Sequence, residues 1–295
     1  MKLGEVVVRI EGGLGNQLFQ YATARSLADR LGCELALDLR GLAANGDRPF
    51  QLDRYQIRAH VASDELFRIL PPPRNSRMGR IKARLSMQWP VICEYPIFWS
   101  SSFAYDARFE SISHPVYLVG YWQSEKYFAW NRSAILHDLR ICGSLALDPV
   151  LCHEIDTTES VALHVRRGDY ISNPAAAAYH GVCGMDYYEE AVERMKARVS
   201  NPLVFVFSDD PTWVGDNLRI DVPFRIIESR GADADLIDFE LMSLCQHHIL
   251  ANSSYSWWAA WRCPVPGQFV FAPSRWVQDQ GLDTSDVVPK RWELL

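Results

Sequence analysis

The chain has 295 residues, enough for two domains or one large one. Hydrophobic residues make up 48% and charged ones 22%, an ordinary globular balance, and a net charge of −6 argues against the basic footprint of a nucleic-acid binder. Seven scattered cysteines without a C-x-x-C pair read as free thiols in a reducing compartment, and no apolar run reaches the length of a signal peptide or a membrane span.

Val6 to Ile10 reads as a first strand, followed by the turn Glu11-Gly12-Gly13-Leu14-Gly15-Asn16. A helix runs from about Gln17 to Leu31, with Leu18, Tyr21, Ala22, Leu27 and Leu31 on one face and Gly32 ending it. Glu34 to Leu39 completes a β-α-β start. The glycine turn, with Asp38 about 20 residues on, has the outline of a dinucleotide fingerprint, but its sixth position is Leu18. Asn16 and Gln17 also place amides where a pyrophosphate needs bare backbone. Residues 41–115 are less legible; Pro71-Pro72-Pro73 and the basic stretch Arg74, Arg77, Arg80, Lys82 and Arg84 read as a solvated loop and helix. Val116 to Gly120 is a further strand, and Gln123 to Phe128 begins a helix. Ser144 to Thr158 reads as the connection between halves, which puts the boundary near residue 150.

The second half alternates strands at 161–165, 203–208, 224–228, 247–252 and 268–272 with helices at 186–199, 211–218, 235–246 and 253–262. That rhythm means a parallel sheet covered by helices, with ligands beyond the carboxyl ends of its strands. The first of these strands runs into His164, Arg166, Arg167, Gly168 and Asp169. Paired arginines at a strand end suit a diphosphate, the glycine permits a sharp turn, and Asp169 can pin one guanidinium. The second ends in Ser208-Asp209-Asp210, where an aspartate suits ribose hydroxyls or the N–H edge of a purine. A third ends in Asn252-Ser253-Ser254-Tyr255-Ser256 and opens a helix, whose free N–H groups make a phosphate seat. Asp233-Ala-Asp235 has the form of a D-x-D metal clamp, but at the start of a helix aspartates also cap and offset the dipole. His247 and His248, adjacent on a strand, point to opposite faces and make a poor metal pair.

The segments EGGLGNQLFQYATARSLA, GYWQSEKYF, HVRRGDY, CGMDYYEEA, FVFSDDPTWV, LMSLCQHHILANSSYSWWAAW and APSRW together resemble the bacterial α-1,2-fucosyltransferases of glycosyltransferase family 11. They run in order along nearly the whole chain, and residues 56–115 carry no such motif. The resemblance implies an α/β fold of the GT-B type, a pair of Rossmann-like domains with a cleft between them. It puts an acceptor-side domain at 1–150, a GDP-sugar-binding domain at 151–272, and a C-terminal segment at 273–295 packing back on the first. It implies inverting, metal-independent transfer of L-fucose from GDP-β-L-fucose to the 2-hydroxyl of a terminal galactose, with no cofactor. The partners are then the donor and a galactose-terminated oligosaccharide, with no nucleic acid. The location is cytoplasmic, with peripheral association at the inner face of the plasma membrane through lipid-linked acceptors left open.

By motif match, Arg166 is the candidate for the β-phosphate, with Arg167 and Asp169 shaping the site. His164 and Ser208, Asp209 and Asp210 would face guanine and ribose, and Asn252, Ser253, Ser254, Tyr255 and Ser256 the diphosphate. Gly13, Gly15, Asn16 and Gln17 would come from the opposite domain to close over donor and acceptor. The proton acceptor is open among Glu11, Asp38, Glu125 and Asp169. Tyr121, Trp122, Tyr127 and Phe128 are candidates for stacking on a sugar, whereas the spacing of Trp257, Trp258 and Trp261 favours core. The rival readings are another GDP-sugar transferase with a different linkage or acceptor, and a nucleotide- or carbohydrate-binding protein without turnover.

Overall fold

The structure, a computed structural model, describes residues 4–45, 48–71, 95–100, 102–168, 171 and 174–295. The basic stretch at 74–84 and Asp169 therefore lie outside the described residues, as does Cys93. The chain divides into two compact units, Met1–Cys142 and Gly143–Leu295.

In the first unit the described strands are β1 (Glu5–Arg9), β2 (Glu34–Asp38), β3 (His60–Val61), β4 (Ile97–Trp99) and β5 (Tyr117–Val119). They lie in the order β3-β2-β1-β5-β4, and every pairing is parallel. Val6, Val7 and Val8 are fully buried in succession, as expected of a central strand covered on both faces. The helix Leu14–Leu31 follows β1 and begins three residues earlier than its periodicity suggests, with Gly13 as N-cap. It ends at Gly32, whose φ of +64° is left-handed and whose N–H donates to the Ala28 and Asp29 carbonyls. Its apolar stripe is weak because Gln17, Gln20, Thr23, Arg25 and Ser26 are buried too. Arg25 Nε and the Tyr21 hydroxyl both donate to Asp138 Oδ2, at 2.8 and 2.7 Å, so these charges are held inside. The helix expected from Gln123 is instead two 3₁₀ turns, Glu125–Tyr127 and Ala129–Asn131, before a helix at Arg132–Asp138.

The second unit holds β6 (Glu159–Val165), β7 (Pro202–Ser208), β8 (Phe224–Ile227), β9 (His247–Ile249), β10 (Val270–Ala272) and β11 (Glu293–Leu294). Their order is β11-β10-β9-β6-β7-β8, again all parallel. Counted from β6, this is the doubly wound order 3-2-1-4-5-6, and it reverses between β6 and β9. Val161, Leu163 and Val165 pack on one face against Tyr188, Ala191, Val192 and Met195 of the helix Met185–Lys196. Strand alternation then sends His164 to the other face.

The stretch read as a connection contains the helix Pro149–Thr157, capped by Asp148 and burying Leu151 and Ile155, so it is part of the second unit. Residues 273–295 belong to the second unit as well. Their last residues add β11 to its sheet, Trp292 packs 5.4 Å from Trp257, and Trp257 Nε1 donates to the Val287 carbonyl at 2.8 Å. Trp257, Trp258 and Trp261 are all core.

Candidate active site

The second unit's switch point is where β6 and β9 part, and two of the marked segments emerge there. Asp209, just past β7, organises the first. Its Oδ1 accepts from the Arg167 N–H at 2.8 Å, and its Oδ2 lies 3.0 Å from Arg166 NH1. A Cβ on Gly168 would come within 2.6 Å of that same Oδ2, so a glycine is required for the carboxylate to approach. Asp209 thus pins the arginine loop, spending its carboxylate there rather than presenting it to a ribose. The reason is tertiary: β6 and β7 are in register to Val165 and Ser208, so the two loops meet.

Ser208 and Asp210 are also structural. Ser208 Oγ accepts from the Asp210 N–H at 3.0 Å, and Asp210 Oδ1 caps the helix Pro211–Asn217 by accepting from the Trp213 N–H at 3.1 Å. Asp210 Oδ2 lies 3.6 Å from Arg167 Nε, and the Arg167 guanidinium sits 3.6 Å from the centroid of the Trp213 ring. Arg167 is therefore stacked and positioned, a contribution from Trp213 that no spacing in the sequence could reveal.

His164 is buried, with its ring 5.7 Å from that of Tyr255. Burial and the Arg166 charge push its pKa down to about 3, partly offset by Asp209, so it is neutral at physiological pH. Its Nδ1 is buried with no hydrogen-bond partner. Tyr255 and Ser254 open the helix Ser254–Arg262, whose N-cap Ser253 does not turn its side chain back onto the helix. The N–H groups of such a first turn have no carbonyl of their own and face outward with partial positive charge. Ser256 Oγ donates to the Ser253 carbonyl at 3.3 Å. Asn252 departs from expectation: its amide donates to the His180 carbonyl at 2.9 Å and its Oδ1 takes the Cys183 thiol at 3.7 Å, so it ties loops together.

One residue was missed. Asp238, on the helix Ala234–Leu244, has a buried Oδ1 with no partner; burial, aided by the nearby Asp235 and opposed by a hydrogen bond from Ser229, raises its pKa to about 6. The next residue, Phe239, packs 5.1 Å from Tyr255, whose hydroxyl donates to the Asp235 carbonyl, so this helix is the one that meets Tyr255. On a helix of mixed pattern Asp238 looks like a solvated acid, which is why sequence gave no reason to choose it.

In the first unit the order reverses between β1 and β5, and the glycine turn lies there. Gly12, with φ of +81°, takes the left-handed conformation that favours glycine, and a Cβ on it would meet Asn16 Nδ2 at 2.7 Å. Gly13 is extended, and a Cβ there would meet nothing. Gly15 is buried in the first helical turn. Asn16 Oδ1 accepts from Gln123 Nε2 at 2.7 Å. Gln17 is fully buried and its amide is spent on backbone: Nε2 donates to the Gly12 and Pro49 carbonyls, both at 2.9 Å, and Oε1 accepts from the Gln51 N–H. It staples the 49–51 loop and cannot reach a ligand.

Of the acids considered for proton transfer, Asp38 is locked. It is fully buried and accepts from Arg40 Nε at 2.9 Å, Arg40 NH2 at 2.8 Å and the Tyr117 hydroxyl at 2.6 Å. These partners outweigh burial and hold its pKa low. Glu11 is half-buried, no hydrogen bond or ion pair among the described residues holds its carboxylate, and burial raises its pKa against the opposing Arg9 charge.

Two Rossmann-like units, with an arginine pair at the switch point of one, have the fold of the GT-B type. The family model for glycosyl transferase family 11 matches residues 73–293, and the chain belongs to that family. It is 33% identical to the alpha-1,2-colitosyltransferase of Escherichia coli over 97% of each chain. It is 31% identical to the O-antigen biosynthesis glycosyltransferase WbnK of the same species, over 90% of this chain and 93% of the relative. Mouse galactoside alpha-(1,2)-fucosyltransferase 2 is 26% identical over 85% of this chain and 66% of its own. In fold it is similar to a mutant of Arabidopsis thaliana FUT1 in complex with GDP, with a TM-score of 0.51 and 13% identity over 95% of this chain and 72% of that one. No helix among the described residues is long and apolar enough to cross a membrane.

Proposed function

We propose that the protein transfers L-fucose from GDP-β-L-fucose to the 2-hydroxyl of a terminal galactoside, with inversion, using the second unit for the donor and the first for the acceptor. The observation that carries this reading is the Arg166 guanidinium, held by Asp209 at the end of β6, the strand whose His164 ring lies 5.7 Å from Tyr255 in the first turn of the helix Ser254–Arg262. The bond between the sugar C1 and the β-phosphate oxygen breaks as the acceptor oxygen bonds C1 from the opposite face, so negative charge grows on the diphosphate. A fixed guanidinium and a helix N-terminus stabilise that charge most in the transition state, the role a divalent cation would otherwise take. Transfer is therefore expected without added metal.

Asp238 Oδ1, buried without a partner, suits the N1–H or amino group of guanine, and neutral His164 offers a second unpartnered atom in its Nδ1. Glu11 is the acid best placed to take the acceptor's proton, being free of the ion pairs that hold Asp38.

A second reading keeps the site and linkage but takes colitose, which lacks the 3-hydroxyl of fucose. The identity to the Escherichia coli colitosyltransferase favours it. One experiment tests both: the purified protein is given GDP-fucose or GDP-colitose with lactose or N-acetyllactosamine in excess EDTA, and GDP release and product linkage are followed by NMR. An α-1,2-linked product is expected, and the ratio of kcat/KM values assigns the donor. Absence of GDP release together with absence of GDP binding would overturn the site.

A further inference from the structure

Arg166 and Arg167 leave the end of β6 side by side and are held by different means. Arg166 is paired with Asp209, whereas Arg167 is paired with Asp210 and lies on an aromatic ring. The ring is that of Trp213, whose centroid is 3.6 Å from the Arg167 guanidinium carbon, a van der Waals contact with the ring face. Trp213 is itself seated: it is half-buried and packs against the core that includes Tyr188, Val206 and Val214.

Asp210 fixes both members of the stack. Its Oδ1 accepts from the Trp213 N–H at 3.1 Å, and its Oδ2 lies 3.6 Å from Arg167 Nε. One carboxylate therefore holds the residue that carries the ring and the side chain that rests on it. The Arg167 side chain is only 18% exposed, and a guanidinium shielded from water gains more from a ring face than an exposed one. Its Nε is buried and makes no hydrogen bond. Among the described residues its side-chain contacts are the ion pair at Nε and the stack on Trp213, and neither uses the terminal nitrogens NH1 and NH2. Those two nitrogens form the fork that pairs with phosphate oxygens.

We propose that Trp213 is a positioning residue for the donor: its indole fixes the plane of Arg167, so that the terminal fork is already set for the diphosphate when the donor arrives. A free arginine side chain has many rotamers, and ordering it would otherwise count against binding. The stack costs the guanidinium none of its hydrogen-bonding capacity, because a ring takes the face and leaves the edges. Trp213 acts through Arg167 and not through the base or the sugar. The inference rests on the transfer reading above and deepens its account of how the diphosphate is held.

The test compares the whole protein with Trp213→Leu, Trp213→Phe, Arg167→Ala, and Trp213→Leu combined with Arg167→Ala. Each is titrated with GDP, inorganic pyrophosphate and guanosine, and its unfolding temperature is recorded. Trp213→Leu keeps apolar bulk against the core but has no ring; Trp213→Met takes its place if it does not fold. The ringless variant should bind GDP and pyrophosphate about tenfold more weakly, the loss expected when a shielded guanidinium leaves its ring. Its affinity for guanosine should stay within about twofold of the parent, since that ligand has no phosphate for the fork. Trp213→Phe restores a face and should bring GDP binding back to within about threefold. In the Arg167→Ala background, removing the ring should change GDP affinity by less than about twofold, because two residues acting as one unit do not add. Parent affinity for GDP in the folded ringless variant, an equal loss for guanosine, or a full second loss in the Arg167→Ala background would each overturn the positioning role. A parent that binds pyrophosphate but not GDP ends the donor reading, and the pyrophosphate series then decides Trp213 alone. A parent that binds neither overturns both.

Discussion

The carboxyl edges of the two sheets are built alike and furnished differently. In the second unit the edge carries charge whose geometry is fixed but whose capacity is not exhausted: Arg166 held by Asp209, His164 with a bare Nδ1, Asp238 with a bare Oδ1. In the first, among the described residues, Asp38 is neutralised by Arg40 and Tyr117, and Glu11 in the turn after β1 is left without an ion pair. The contrast is between fixed positive charge at one edge and a single half-buried acid at the other.

Four changes sharpen or break that contrast. Arg166→Ala should lower turnover by about a thousandfold, about 4 kcal/mol of transition-state stabilisation, with the unfolding temperature little changed. Near-parent turnover in the folded variant would end its assignment. Asp38→Ala should act in the opposite way, costing about 3 kcal/mol of stability in urea unfolding by leaving Arg40 unpaired, while GDP affinity of the folded protein holds. A selective loss of GDP binding would show that the first edge does handle charge.

The third prediction concerns acid. His164 is held near pKa 3 when folded, against an ordinary 6.5, so the unfolded chain binds the extra proton between those values. Stability is therefore lost as pH falls below 6.5, by about 2 kcal/mol between pH 7 and pH 5. His164→Phe should flatten this dependence in unfolding curves; an unchanged slope would assign the loss elsewhere. The smallest effect is at Asp238, where the sign reverses. Its folded pKa near 6 lies above the ordinary 3.8, so the folded state holds the extra proton and stability falls as pH rises through that window. Asp238→Asn should stabilise the ligand-free protein at pH 7 by about 1 kcal/mol, allowing for partial exposure, and weaken GDP binding. Loss of stability without loss of GDP affinity would make Asp238 an ordinary structural acid.

Much of the frame was legible because its elements are long enough to show a period. β1, the helix after it, β2, β6 and β7 each span enough residues for alternation or a capped helical run to stand out. Residues 41–115 were not, since β3 and β4 have two and three residues and the helix Asp64–Ile69 only six, too few to show a period. The helix at Pro149–Thr157 carried a readable start in Asp148-Pro149, hidden by its shortness. For the site, the arginine pair and the serine-led helix stood out by residue type, whereas Gln17, Asn252 and Asp209 were read as facing ligand and instead bond the protein.

By itself the sequence determined the parallel sheets and the family, because periodicity and residue type are local properties. Only the tertiary structure decided which polar atoms are spent and which are left over. Asp209 meets Arg166 through the register of β6 and β7, Trp122 and Tyr127 are drawn into an aromatic core, and Asp238 is stranded by the helix that buries it. Hydrogen-bond partners far apart in the chain meet only when it folds, and availability for a ligand is what remains after those meetings.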